Sequence, residues 1–315
     1  MFFSMILRML NTNRNQILKR IAIAGVSVLA IGLVPNWEHQ IKQLPKFQIL
    51  GATHSAYSDV NAAPELVAIL ENPELTAKSA LAYDFQSGSI LFTHNFDQKL
   101  PVASLTKLVT ALVVVDSGKL NTFVEVQEED VRVIGPNTGL LAQERILTSE
   151  LLKAMLIASH NDSTLALSRH VGGTPANFVK LMNQKAKQLG MHNTNFTNPI
   201  GFDDPNHFSS AHDYVLALKS FLNNTYLSEI VKTKQTVIES ENKTFTHHVK
   251  TTNKLLLDDP TVVGVKTGYT TEARGNLVIR SVNGKTDVVT IVLGSEDREG
   301  DTRKMLDWVN SVYRW

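Results

Sequence analysis

The stretch Pro101–Gly118, PVASLTKLVTALVVVDSG, decides how the whole chain is read. Leu105, Leu108, Val109 and Leu112 recur at helical spacing as one apolar stripe and Gly118 supplies a stop, so the pattern predicts a helix opening at Ser104. On that helix Lys107 stands one turn beyond Ser104, beside it on the surface. A serine hydroxyl is a poor nucleophile until a base takes its proton, and a neighbouring amine can be that base if it deprotonates easily. Burial and a second cation both push a lysine in that direction. The start of a helix also favours a developing oxyanion.

Working outward, Ser79 to Asp84 and Ser89 to His94 flank Gln86, Ser87 and Gly88, which reads as a hairpin. Thr174 and Pro175 sit at N-cap and first-turn positions of a helix whose Phe178, Leu181, Met182, Ala186 and Leu189 form its stripe, closed by Gly190. Near the end, Val262 to Val265, Leu277 to Val282 and Val288 to Leu293 read as three successive strands, the last two joined through Asn283 and Gly284. A helix with Met305, Leu306, Val309 and Val312 on one face follows. Strands at both ends with helices between them predict an α/β chain of the α+β type, in which the two ends share an antiparallel sheet beside a helical middle.

Two further motifs follow the first, Ser159-His160-Asn161 and Lys266-Thr267-Gly268. Lys266 is the candidate second cation. Each motif alone is weak: Ser240 with Lys243 repeats the S-x-x-K spacing, and Ser240 with Asn242 and Ser281 with Asn283 repeat S-x-N. Context sets these copies aside, because the first lies in a polar stretch without a stripe and the other runs into a hairpin turn. Among the ten histidines, His207 and His212 with Asp213 could be imagined on a metal, but no H-E-x-x-H or comparable spacing accompanies them, and a structural or surface role is expected. His247 and His248 read as solvated, and Asp116, Glu144 and Asp162 as surface charges or caps.

Composition narrows the class further. A formal charge of +1, from 31 basic and 30 acidic side chains, gives no reason to expect a nucleic-acid partner. Without cysteine there are no disulfides, thiolate metal sites or thiol catalysis. Arg8, Arg14, Lys19 and Arg20 precede the apolar run Ile21 to Val34, with Pro35, Asn36 and Trp37 behind it. This reads as a positive-inside flank and an N-terminal transmembrane helix, about 25 Å long if carried to Trp37. No small-x-small cleavage site stands just after the run, so an uncleaved anchor is expected ahead of a cleaved secretory signal. The expected domains are 1–37 anchor, 38–63 linker and 64–315 catalytic domain, the last outside the cell membrane.

With its motifs in this order, the chain from about Pro64 onward resembles the D-alanyl-D-alanine carboxypeptidases among the low-molecular-mass penicillin-binding proteins. Ala80-Leu81-Ala82-Tyr83-Asp84 with Ser87-Gly88, and Pro101 to Leu108, are similar to that family's opening hairpin and active-site sequence. Leu189-Gly190-Met191 through Asn198-Pro199-Ile200-Gly201-Phe202-Asp203, and Gly264 to Thr270 with Gly275-Asn276-Leu277, carry the likeness further. His160 departs from it, standing where glycine is common, and relatives often continue into a β-rich C-terminal domain where this sequence ends at Trp315.

The resemblance implies the DD-peptidase/β-lactamase-like fold, a five-stranded antiparallel sheet flanked by helices with an all-helical subdomain and the site in the groove between. It implies Ser104, Lys107 and Ser159 as catalytic groups, with Ser159 passing a proton to the leaving amine. Asn161, Lys266, Thr267, Gly268 and Tyr269 would bind substrate, Thr267 at the terminal carboxylate and the Tyr269 and Ser104 N–H groups as an oxyanion hole. The implied partners are peptidoglycan stem peptides and β-lactams as covalent inhibitors, without a metal or organic cofactor. The rivals are an endopeptidase on peptidoglycan crosslinks, a β-lactamase, disfavoured because Asn193 to Asp203 offers no glutamate, and an idle cell-wall binder.

Overall fold

The expected hairpin forms from β1 (Ser79–Asp84) and β2 (Ile90–His94), and its turn is held by Asp84 Oδ2, which accepts from the Ser87 N–H and hydroxyl at 2.7 Å each. This is a computed structural model, and it describes residues 62–315. The anchor and most of the linker expected before Pro64 lie outside the described residues. Among those described, no helix is long and apolar enough to cross a membrane.

Helices then dominate: α1 (Thr106–Asp116), α2 (Thr148–Ile157), α3 (Asn161–Gly172), α4 (Pro175–Leu189) and α5 (Ala211–Asn223). The ends of α4 are those its sequence specifies. Thr174 Oγ1 accepts from the Asn177 N–H at 3.2 Å, Pro175 opens the first turn where no amide hydrogen is needed, and Gly190 closes it at φ 81°. A ribbon of β3 (Gln235–Glu239) and β4 (Thr246–Lys250) follows, then β5 (Val262–Thr270), β6 (Arg274–Asn283), β7 (Thr286–Ser295) and α6 (Arg298–Val312).

The two chain ends build one five-stranded sheet, ordered β2-β1-β7-β6-β5 and antiparallel throughout, with Leu81 opposite Ile291. Alternation along the strands separates two cores. Ala80, Ala82, Leu277, Ile279, Val288 and Val292 face Met305 and Val309 of α6. Leu81, Tyr83, Val278, Val289, Ile291 and Leu293 face the helical middle, where Leu108 and Leu112 of α1 and Tyr214 and Leu218 of α5 are buried with them. Each large apolar side chain so covered contributes about 1.5–3 kcal/mol.

Strand β5 runs well beyond Val265 because its ladder continues through the polar residues, with Lys266 opposite Val278 and Thr267 opposite Leu277. Other expectations need correction. Strand alternation turns His247 inward while His248 stays exposed, and His247 Nε2 lies 2.7 Å from Glu144 Oε1, whose side chain is itself buried. Glu144 is therefore no surface charge; its other oxygen accepts from the Leu141 N–H at 3.0 Å. Asp162 is fully buried as well. Asp116 does lie at the surface, beside Lys185. The repeated motifs are structural: Ser240 Oγ bonds Asn242 at 3.0 Å in the β3–β4 turn, and Ser281 bonds Thr261 at 2.9 Å.

Candidate active site

Ser104 is the middle residue of a short 3-10 turn, Ala103–Leu105, that leads directly into α1. Ala103 holds a left-handed φ of 47°, and Gly201 packs so tightly on it that a Cβ there would collide with the Ala103 carbonyl. Lys107, on the first turn of α1, has no exposed surface. Its Nζ lies 3.0 Å from Ser104 Oγ, 2.9 Å from Asn161 Oδ1 and 3.0 Å from the Ile200 carbonyl. Burial, then the neighbouring Lys266, pushes the Lys107 ammonium well below its usual range. None of its three neighbours is a carboxylate to oppose that.

Ser159 lies between α2 and α3 at φ 63°, a left-handed conformation costly for a residue with a Cβ. Lys266 Nζ donates to Ser159 Oγ and to the Thr267 carbonyl, at 2.8 Å each. Burial, with the Arg298 guanidinium adding to it, brings Lys266 down to about 7. Asn161 opens α3, and its amide is already engaged: Oδ1 accepts from Lys107 and Nδ2 donates to the Ile134 carbonyl at 2.7 Å. One amide hydrogen is left for a ligand.

The wall beyond Asn161 is the segment 134–140. Asp162 receives the Thr138, Gly139 and Leu140 N–H groups, and the Asn161 N–H donates to the Pro136 carbonyl at 2.7 Å. His160 Nδ1 lies 2.9 Å from Thr138 Oγ1 on the same wall, and burial lowers its pKa. The residue after Asn161 thus fixes a wall of the groove, a role that its charge alone does not suggest.

The opposite wall is the edge of β5. Gly268 passes so near the nucleophile turn that a Cβ would lie 3.0 Å from the Ser104 nitrogen and 3.2 Å from the Val102 carbonyl. Thr267 Oγ1 lies 2.5 Å from Thr252 Oγ1, and Arg298 donates to the Gly268 carbonyl at 2.9 Å. Tyr269 is 70% exposed at the lip, and Thr270 Oγ1 reaches Asp203 Oδ1.

The three motifs therefore converge where the sheet meets the helical middle: Lys107 touches Ser104 and Asn161, Lys266 touches Ser159, Gly268 lies against the Ser104 turn, and Thr267 and Tyr269 flank it on β5. Three contributors had no signature of their own. Thr252 and Arg298 act from outside the motifs, and the arch 197–203 brings the Ile200 carbonyl to Lys107 while Asn198 Oδ1 accepts from the Ile200, Gly201 and Phe202 N–H groups. The Asn198-Pro199 and Gly201 pattern was a signal for that arch, although not for its partner. His212 pairs with Asp97 at 3.0 Å, and Asp213 accepts from the Asn193 N–H and the Thr194 hydroxyl at 2.7 Å each.

A mixed fold of this topology, with a serine and two buried lysines in the groove between sheet and helices, defines the DD-peptidase type. The profile of the family described as D-alanyl-D-alanine carboxypeptidase matches residues 67–297, and the chain belongs to this family. It is 34% identical over 246 residues to the D-alanyl-D-alanine carboxypeptidase DacF of Bacillus subtilis, which covers 75% of this chain and 63% of that protein. A D-alanyl-D-alanine endopeptidase of Haemophilus influenzae is 38% identical over 205 residues, 64% of this chain and 69% of its own. The chain spans less than two thirds of the length of the carboxypeptidases DacF and DacA that it matches. Among solved structures it is similar to the Streptomyces K15 DD-transpeptidase, with a TM-score of 0.72 and 26% identity over 77% of this chain and 100% of that one. The D-alanyl-D-alanine carboxypeptidase of Mycobacterium tuberculosis aligns with a TM-score of 0.71 and 27% identity, over 80% and 96%.

Proposed function

We propose that the protein is a serine D-alanyl-D-alanine carboxypeptidase acting on peptidoglycan stem peptides through an acyl-enzyme on Ser104. The observation that carries this is the surroundings of Lys107. A neutral amine has two hydrogens and one lone pair; Asn161 Oδ1 and the Ile200 carbonyl can only accept, so they take the hydrogens and the lone pair faces the Ser104 hydroxyl. Lys107 then removes the Ser104 proton as the oxygen attacks the D-alanyl carbonyl. The Ser104 and Tyr269 N–H groups receive the oxyanion, and Asn161 holds the substrate backbone. The proton that Lys107 took passes through Ser159, which gives its own to the departing amine and is refilled, so that Lys107 is neutral again. Lys266 and Thr267 receive the terminal carboxylate. Water then hydrolyses the ester, with the neutral Lys107 taking a proton from the water and returning it to Ser104 Oγ as that oxygen leaves.

The test is incubation of the purified protein with a labelled penicillin and, separately, a stem pentapeptide. Covalent label on Ser104 lasting many minutes, together with repeated D-alanine release, is expected, and Ser104→Ala loses both. Rapid penicillin turnover favours a β-lactamase, and stable label without any release favours an idle binder. The endopeptidase reading has support of its own in the Haemophilus influenzae relative of that name; release from crosslinked but not monomeric peptides would select it. The basic flank before Ile21 supports attachment through the N-terminal segment, with residues 38–315 outside the membrane.

A further inference from the structure

His207 is 2% exposed, lies directly behind the nucleophile helix, and has no part in the steps above. Its contacts fix its tautomer. Thr106 Oγ1 donates its one hydrogen to the Ala103 carbonyl at 2.7 Å, so at its 2.7 Å contact with His207 Nε2 the hydroxyl accepts and Nε2 carries the proton. Nδ1 is then a bare acceptor, and the Thr197 N–H donates to it at 3.1 Å. The ring also meets Phe196 edge to face, with centroids 5.5 Å apart. It thus ties Thr106, the residue before Lys107, to Thr197, the first residue of the arch whose Ile200 carbonyl touches Lys107. Farther along, the Pro199 carbonyl accepts from Thr110 Oγ1 at 2.8 Å, so the arch is fastened to α1 at two points that lead up to that carbonyl.

We propose that His207 is a positioning residue that clamps the 197–203 arch to the nucleophile helix and so keeps the Lys107 lone pair aimed at Ser104. The inference rests on the acyl-transfer reading. Among the described residues, Asp204 and Asp203 are the charged groups that bear on the ring; Thr106, Phe196, Thr197 and Asn198 face it with neutral groups. Burial brings His207 down to about 4, so the donor and the acceptor keep their places through the neutral range. Without the clamp the Ile200 carbonyl drifts, and the amine can turn its lone pair elsewhere. That slows the proton transfer, while Lys266 and Thr267 keep their own partners, Ser159 and Thr252. Loss of an acceptor that favours the ammonium also lowers the Lys107 pKa further.

The test compares the full chain with His207→Phe and His207→Asn, following penicillin acylation and D-alanine release against pH. His207→Phe is expected to lower kcat about tenfold or more with KM little changed, and to move the acid limb to lower pH. His207→Asn, whose Oδ1 replaces the Nδ1 acceptor for Thr197 but leaves Thr106 without its partner, recovers part of kcat and moves the limb part of the way back. An unchanged kcat and limb in the phenylalanine variant, or a loss that asparagine does not recover and that leaves the limb in place, overturns the clamp. Nitrogen-15 NMR of the histidines in the wild-type chain tests it without any variant: a proton on Nδ1 rather than Nε2 overturns it. If the wild-type chain is never labelled at Ser104, the acyl-transfer reading itself has failed, and the tautomer measurement still reports on the ring.

Discussion

At the scale of single residues, chemistry depends on two amines kept out of water. Lys107→Arg retains the charge but supplies a guanidinium that cannot deprotonate at working pH, so acylation of Ser104 should disappear. Intact-mass measurement after exposure to penicillin checks this, and near-normal labelling would mean that another group activates Ser104. Lys266 sets the other limb. Near 7 in the free protein, it is charged below that pH and can meet a substrate carboxylate there, while above it the attraction fades. The kcat/KM profile should therefore fall on its alkaline side at about 7. A bound carboxylate stabilises the ammonium, so the same limb in kcat belongs at higher pH. Coincident alkaline limbs in the two profiles would contradict this assignment. The motif residues Ser104, Lys107, Ser159 and Lys266 were legible as types at a spacing. The burial that lowers both lysines was not, because it comes from elements distant in sequence.

Elements bring these residues within reach by approaching more closely than ordinary side chains allow. β5 passes the nucleophile turn at Gly268, where a methyl group would lie 3.0 Å from the Ser104 nitrogen and 3.2 Å from the Val102 carbonyl, so the neighbouring backbone would have to give by a few tenths of an ångström. Gly268→Ala should push strand and turn apart, reducing acylation by about a hundredfold while the melting temperature changes little. Stopped-flow labelling and a thermal melt separate the two effects, and equal acylation rates would show that the contact is dispensable. At this scale the reading of sequence was uneven for a physical reason. The limits of α4 are written in local chemistry at Thr174, Pro175 and Gly190, and they match. The end of β5 is decided by pairing with β6, so the strand read as Val262 to Val265 runs on through Lys266 to Thr270. His247 misled in the same way. Its polar surroundings in sequence suggested solvent, whereas the β3–β4 ribbon turns it onto Glu144.

Across the whole molecule, the sheet is closed by contacts between the two ends of the described chain. Asp301 of α6 is buried and accepts from the Thr76 N–H at 3.0 Å, the Thr76 hydroxyl at 2.8 Å and the Ser295 hydroxyl at 2.6 Å. Asp301→Ala strands these donors, at a cost of about 2–4 kcal/mol, which denaturant unfolding can measure. The folded fraction should still be labelled at the wild-type rate, since Asp301 lies outside the groove. A slower rate would show that the sheet's outer face tunes the site. His207 contributes a pH-dependence at the same scale. Its pKa is depressed from 6.5 to about 4, so the unfolded chain binds more protons between those values, and the ring's contribution to stability is lost as pH falls through that window. The stability gap between the wild type and His207→Asn should therefore narrow from pH 7 toward 4, and a constant gap would deny the depressed pKa. Proteolysis of intact cells or spheroplasts tests the proposed topology: the domain should be digested, and its protection would sink an external location.

By itself the sequence determined the opening hairpin, the two-ended sheet, the helix that carries Lys107 one turn beyond Ser104, the helices α4 and α6, and the three motifs, because periodicity, capping and one-turn spacing are local properties. Only the tertiary structure decided which surroundings those motifs meet. The Ile200 carbonyl on Lys107, the Asp162 cradle for the wall, Thr252 beside Thr267 and the tautomer of His207 each join residues far apart in the chain. Their chemistry depends on burial and on hydrogen-bond direction, and neither exists until the chain has folded.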